Sequence, residues 1–131
     1  MAAHALVIDD NMLNIEILCM LLAQQGLSTT TFTRPQQLSD ALTSLPEQTM
    51  HVDAAFVDLE FPNGDGYNVL RQLKADPRFT GVPIVAYTVH TSEIDKARQY
   101  GFDSFLGKPL DSRRFPAQLR RILDHQPVWD G

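Results

Sequence analysis

Four short runs in this 131-residue sequence, three of them wholly apolar, end on a polar side chain. ALVI (Ala5–Ile8) ends on Asp9-Asp10, AAFV (Ala54–Val57) on Asp58, VPIVAY (Val82–Tyr87) on Thr88, and DSFLG (Asp103–Gly107) on Lys108. Such runs, bounded by turn formers, read as buried strands, which puts the polar residues at strand ends. In an open α/β sheet, ligands bind outside the carboxyl ends of the strands. Three carboxylates, a hydroxyl and an ammonium would then gather around one small pocket. Clustered carboxylates raise one another's pKa unless a cation compensates. Oxygen donors with no His or Cys among them favour Mg²⁺, which keeps several waters and accepts phosphate oxygens. A carboxylate can also act as a covalent nucleophile, giving an aspartyl-phosphate. The transferred group would need positive charge and hydrogen-bond donors, which Lys108 and Thr88 would supply beside the metal.

Holding those ends together requires a regular alternation of elements. Met12–Gln25 has a helical pattern and is closed by Gly26 as a C′ residue. Ser28–Phe32, polar and β-branched, suits an edge strand, and Pro35 opens a helix running to about Leu45. The loop Phe61–Gly66 (FPNGDG) is dense in turn formers and precedes a helix to about Ala75. Later helices span about Ser92–Tyr100 and Ser112–His125, and the tail PVWDG has no periodicity, so Trp129 receives no role. Five strands alternating with five helices imply an α/β fold: a doubly wound parallel sheet covered on both faces.

VIDDN, FVDLEFPNGDG, PIVAYT and FLGKP, in this order and spacing across about residues 4–124, resemble the receiver domain of two-component response regulators. The resemblance implies the flavodoxin-like (CheY-like) fold with strand order 2-1-3-4-5. It implies a receiver domain over residues 1–126, a short C-terminal tail at 127–131 and no effector domain. By the same likeness Asp58 is the phosphoacceptor, and Asp9, Asp10, Asp58 and the backbone carbonyl of Glu60 hold Mg²⁺. Lys108 pairs with the phosphoryl group and precedes a proline whose peptide bond is typically cis; Thr88 and Phe105 form the switch. The implied donor is a histidine kinase or histidine phosphotransfer protein, and the implied output is a protein target. Such a domain assists its own phosphorylation and dephosphorylation and is not otherwise an enzyme. Its usual output surface, which a homodimer could also use, is the face of the fourth helix, fifth strand and last helix.

Taken singly, these residues have plainer readings. Asp9-Asp10 could cap the first helix, Lys108 could be solvated surface, Cys19 reads as a small buried hydrophobe, and His90 as a solvated loop residue. On the first helix, Ile15, Leu18, Cys19 and Leu22 follow core spacing, while Leu13, Ile17, Met20 and Leu21 make a second stripe. Receivers dock their kinase or phosphotransfer partner through this helix, which makes Leu13 and Ile17 candidate docking residues; packing on the last helix is the alternative.

Several positions depart from the family. Val89 replaces the usual Ala or Gly and would crowd the pocket mouth; Glu60 and His90 occupy positions that tune water access; Gly64 replaces Met, and Phe105 replaces Tyr. Asp9 is followed by Asp10 and Asn11, which breaks the acid-x-acid pattern of aspartyl phosphatases, and no GxGxxG turn follows the first strand. A net charge of −5 argues against direct nucleic-acid binding. One cysteine excludes an internal disulfide, and neither a membrane span nor a signal peptide is visible, so the expected location is the cytoplasm.

Overall fold

The computed structural model describes residues 3–44, 51–61 and 64–131. Strands β1 (His4–Ile8), β2 (Ser28–Phe32), β3 (Ala54–Asp58), β4 (Ile84–Thr88), β5 (Ser104–Gly107) and β6 (Trp129–Asp130) form one parallel sheet in the order 2-1-3-4-5-6. Helices α1 (Met12–Gln24), α2 (Pro35–Ser44), α3 (Gly66–Ala75), α4 (Ile94–Tyr100) and α5 (Phe115–Leu123) connect and cover them. The expected end of α2 near Leu45, and Pro62-Asn63 of the turn-rich loop, lie outside the described residues.

Alternation along the central strands splits the core into two layers. Ala5 and Val7 of β1, Ala54 and Phe56 of β3, and Val85 and Tyr87 of β4 pack with α1 and α5. Leu6, Ile8, Ala55, Val57, Ile84 and Ala86 pack with α2, α3 and α4. Both faces are covered, which is why these strands are apolar throughout instead of alternating. β2 is the edge strand expected from its polar sequence, and the His4 ring ties it to β1 through Ser28 Oγ (2.6 Å) and Thr30 Oγ1 (2.7 Å).

The opposite edge departs from expectation. The sheet has six strands, not five, because the aperiodic tail supplies β6 alongside β5. Two residues are too few to show a period, so the tail's sequence carried no strand signal. Trp129 consequently has partners: it packs against the α2–α4 layer, and the Arg98 guanidinium lies 4.8 Å from its ring centroid. Other element ends also move. β4 begins at Ile84, just after Pro83, whose nitrogen cannot donate. α5 begins at Phe115, because the Asp111 carboxylate accepts the Arg113 N–H and forms a separate turn. Leu21, placed by spacing in the second stripe of α1, is buried in the core, whereas Leu13, Ile17 and Met20 are exposed.

Candidate functional site

The pocket forms where β1, β3, β4 and β5 end. Asn11, not either aspartate, caps α1, its side chain accepting the Asn14 N–H at 3.1 Å. The acid pair is thereby left for other work. Asp9 is fully buried and Asp10 exposed, and ligand oxygens of Asp9, Asp10 and Asp58 all lie within 4.8 Å of one another. Lys108 Nζ donates to Asp9 Oδ2 at 2.9 Å and to Asp58 Oδ1 at 3.3 Å, with its side chain almost entirely out of solvent. The cleft, about 490 Å³, is lined by these four residues together with Asn11, Asn14, Glu60, Thr88 and Val89.

Thr88 is buried at the end of β4; its hydroxyl accepts the His90 N–H at 3.1 Å, and its carbonyl accepts the Lys108 N–H at 2.9 Å. The second bond registers the lysine-bearing loop against the strand. The Lys108-Pro109 peptide is cis. Gly66 lies so close to the end of β3 that an added Cβ would come within 2.8 Å of Leu59 Cα and overlap the Asp58 carbonyl, so no larger residue fits there. Phe105 is fully buried in the layer of α2–α4.

Electrostatically the pocket lacks positive charge. Burial raises the Asp58 pKa from 3.8 to about 6; nearby Asp9 adds to the rise, and Lys108 partly offsets it. Three carboxylates face one ammonium, a donor set of hard oxygens with no soft ligand. This set fits a divalent cation such as Mg²⁺.

Every site residue drawn from the strand ends is thus present at one cleft. The sequence did not single out Tyr87, whose buried hydroxyl donates to Asp9 Oδ2 at 2.8 Å; only its apolar strand context was legible. Burial and the Asp9 carboxylate push this phenol far above the ordinary tyrosine range, so it remains a donor. Nor did it show that His90 Nε2 and Glu60 Oε1 meet at 2.7 Å, bridging the segments that follow β3 and β4. A larger groove of about 610 Å³ lies at the opposite ends of β4 and β5. Its charges are already committed, Lys74 to Asp103 and Arg98 to the Trp129 ring, so it presents no convergent chemistry.

The family model for the response regulator receiver domain matches residues 5–120. The chain belongs to the receiver-domain family. This receiver domain is 31% identical to the response regulator PleD of Caulobacter vibrioides over 99% of its own length, which is 28% of that relative. It is 32% identical to the DNA-binding response regulator MtrA of Mycolicibacterium paratuberculosis over 98% of its length and 56% of that protein. The receiver therefore spans from about a quarter to just over half of these curated relatives. Among solved structures it resembles the receiver domain of the Pseudomonas aeruginosa sensor histidine kinase PA1611 (25% identity, TM-score 0.77, covering 95% of this chain and 99% of that one), described with a magnesium ion coordinated in its active-site cleft. The chemotaxis regulator CheY4 of Vibrio cholerae shares the fold (21% identity, TM-score 0.78, 93% and 99% covered). Receiver domains of this family are phosphoacceptor signalling modules of two-component systems. Among the described residues no helix is long and apolar enough to cross a membrane.

Proposed function

We propose that Asp58 accepts a phosphoryl group from a histidine kinase or histidine phosphotransfer protein in a Mg²⁺-dependent reaction, and that the modified domain switches its protein contacts. The observation that carries this reading is the convergence of the Asp9, Asp10 and Asp58 oxygens within 4.8 Å, with Lys108 Nζ at 3.3 Å from Asp58. Asp9, Asp10, Asp58 and the Glu60 carbonyl would hold the metal, which neutralises carboxylate and phosphoryl charge when bound. An Asp58 carboxylate oxygen attacks phosphorus, an O–P bond forms, and the donor's bond to phosphorus breaks with its electron pair leaving on the donor. Lys108 pairs with the phosphoryl oxygens, and the Thr88 hydroxyl turns toward them and donates. The same groups serve when water later removes the phosphate.

Phosphorylation adds about −1.5 to −2 charges at this one point, enough to bias a bistable arrangement. Thr88 and Phe105 lie on the adjacent strands β4 and β5, paired Ala86 with Phe105 and Thr88 with Gly107, so a movement of Thr88 bears directly on that side of the sheet. Output through α4, β5 and α5, to a protein target or a second copy, would include β6, which lies along β5. Leu13 and Ile17, exposed on α1 beside the cleft, are the proposed docking residues for the phosphoryl donor.

Incubation with Mg²⁺ and acetyl phosphate, read by intact mass, tests the proposal. Wild type should gain one phosphoryl group and Asp58→Asn none. Equal labelling of the two, or none of either, would show an interaction domain that does not carry phosphate on this residue.

A further inference from the structure

Tyr87 touches two members of the acid-and-lysine set at once. It follows Val85 and Ala86 on β4 and faces the α1/α5 layer, where its ring meets Phe56 edge-on (centroids 6.5 Å apart, planes at 85°). Phe56 in turn lies 6.4 Å from Phe115 of α5. This row of three aromatic rings fixes the phenol in a fully packed setting and delivers its hydroxyl to Asp9 Oδ2 at 2.8 Å. The same oxygen accepts from Lys108 Nζ at 2.9 Å, while Asp9 Oδ1 accepts the Asn11 N–H at 2.9 Å. Both oxygens of this buried carboxylate are therefore held from fixed directions. The Tyr87 ring also presents its face to the ammonium, with Lys108 Nζ 4.3 Å from the centroid.

We propose that Tyr87 is a positioning residue of the phosphoacceptor site: its hydroxyl sets the orientation of Asp9 toward Mg²⁺, and its ring seats Lys108. This rests on the reading of Asp9, Asp10 and Asp58 as the metal-holding acids. The physical reason lies in the competition at Asp9 Oδ2. Lys108 is nearer to Asp9 (2.9 Å) than to Asp58 (3.3 Å). With the phenol hydroxyl removed, the ammonium becomes the sole side-chain donor to that oxygen among the described residues. The carboxylate is then free to turn toward the lysine and draw it from Asp58. Partners that orient metal-binding carboxylates from behind are commonly worth one to two orders of magnitude in metal affinity.

Calorimetric Mg²⁺ titration of the full chain at neutral pH tests this with four proteins: wild type, Tyr87→Phe, Asp9→Asn and the double variant. Tyr87→Phe, which keeps the ring and its packing, should weaken Mg²⁺ binding by about tenfold. In the Asp9→Asn background the same change should cost nothing further, because the hydroxyl acts through Asp9. Tyr87→Leu removes the ring as well. At saturating Mg²⁺ it should lower the affinity for beryllofluoride below that of Tyr87→Phe, as Lys108 loses its seat. A merely structural phenol would shift the melting temperature of the metal-free protein and leave the Mg²⁺ affinities alike. Affinity of Tyr87→Phe within about twofold of wild type, or the same loss in both backgrounds, overturns the proposal. Failure of wild type itself to bind Mg²⁺ would lie with the metal reading, and the proposal would fall with it.

Discussion

The Phe105 N–H donates to the carbonyl of Val128 at 2.7 Å, tying the buried aromatic of β5 to the start of the C-terminal strand. Val128 returns the contact through its own N–H to Ser104 Oγ at 2.9 Å and is itself buried. Asp130 accepts from Arg114 Nη2 at 3.0 Å and from Gln118 Nε2 at 2.8 Å, fastening the strand to α5. The sheet edge beside Phe105 is thus covered by the chain's own tail.

Truncation after Gln126 should therefore destabilise the domain by about 3 kcal/mol, the loss expected for one fully buried and one half-buried apolar side chain. Urea unfolding measures it. A change below about 0.5 kcal/mol, the usual scale of surface substitutions, would mean that β6 is not a fixed part of the sheet.

The pocket's charge deficit makes stability depend on pH. Asp58 titrates at about 6 when folded against 3.8 ordinarily, so its contribution is fully present below about pH 4 and is lost as pH rises through 6. In EDTA, wild type should lose up to about 3 kcal/mol relative to Asp58→Asn between those limits. Mg²⁺ should restore stability at neutral pH and bind progressively less well below about pH 6, where a proton occupies Asp58. Parallel pH profiles for the two proteins in urea unfolding would contradict this.

Lys108→Ala leaves Asp9 and Asp58 buried without their cation. Removing one partner of a buried ion pair costs about 3–5 kcal/mol, and here two acids share the loss. The variant should be markedly destabilised in EDTA at neutral pH, recover toward pH 5 as a carboxyl protonates, and take up no phosphate from acetyl phosphate. Equal destabilisation at both pH values would assign Lys108 a packing role instead.

Val89 lines the cleft and is 61% exposed, so its branched side chain stands at the mouth and not in the core. Val89→Ala should raise the rate of phosphorylation by acetyl phosphate severalfold while leaving stability almost unchanged. An unchanged rate would remove the steric explanation.

Replacement of both Leu13 and Ile17 by Lys should impair phosphotransfer from the protein partner and spare phosphorylation by acetyl phosphate. Both side chains are exposed, so folding tolerates the change. Equal loss with both donors would exclude a docking role.

Asp9, Asp10, Asp58, Thr88 and Lys108 were legible because each ends a strand read from the sequence, and a parallel sheet carries such ends to one side. The local chain alone specifies that much: strand, polar residue, turn, helix. The sheet order came from the family resemblance, and spacing left open whether the second stripe of α1 is exposed or packs toward α5. It divides, with Leu21 buried in the layer of α1 and α5 and Leu13, Ile17 and Met20 exposed. The tail was illegible for a related reason. Trp129 and Asp130 become a strand only where β5 offers an unpaired edge, and Asp130 is held only where Arg114 and Gln118 await it. Likewise Tyr87 and Asp9 stand 78 positions apart, and His90 and Glu60 belong to different loops. Hydrogen bonds of this range have no signature along the chain, since they depend on the register between strands and on which layer each side chain enters. Tertiary packing decided how the site is braced; residue type and spacing decided what stands in it.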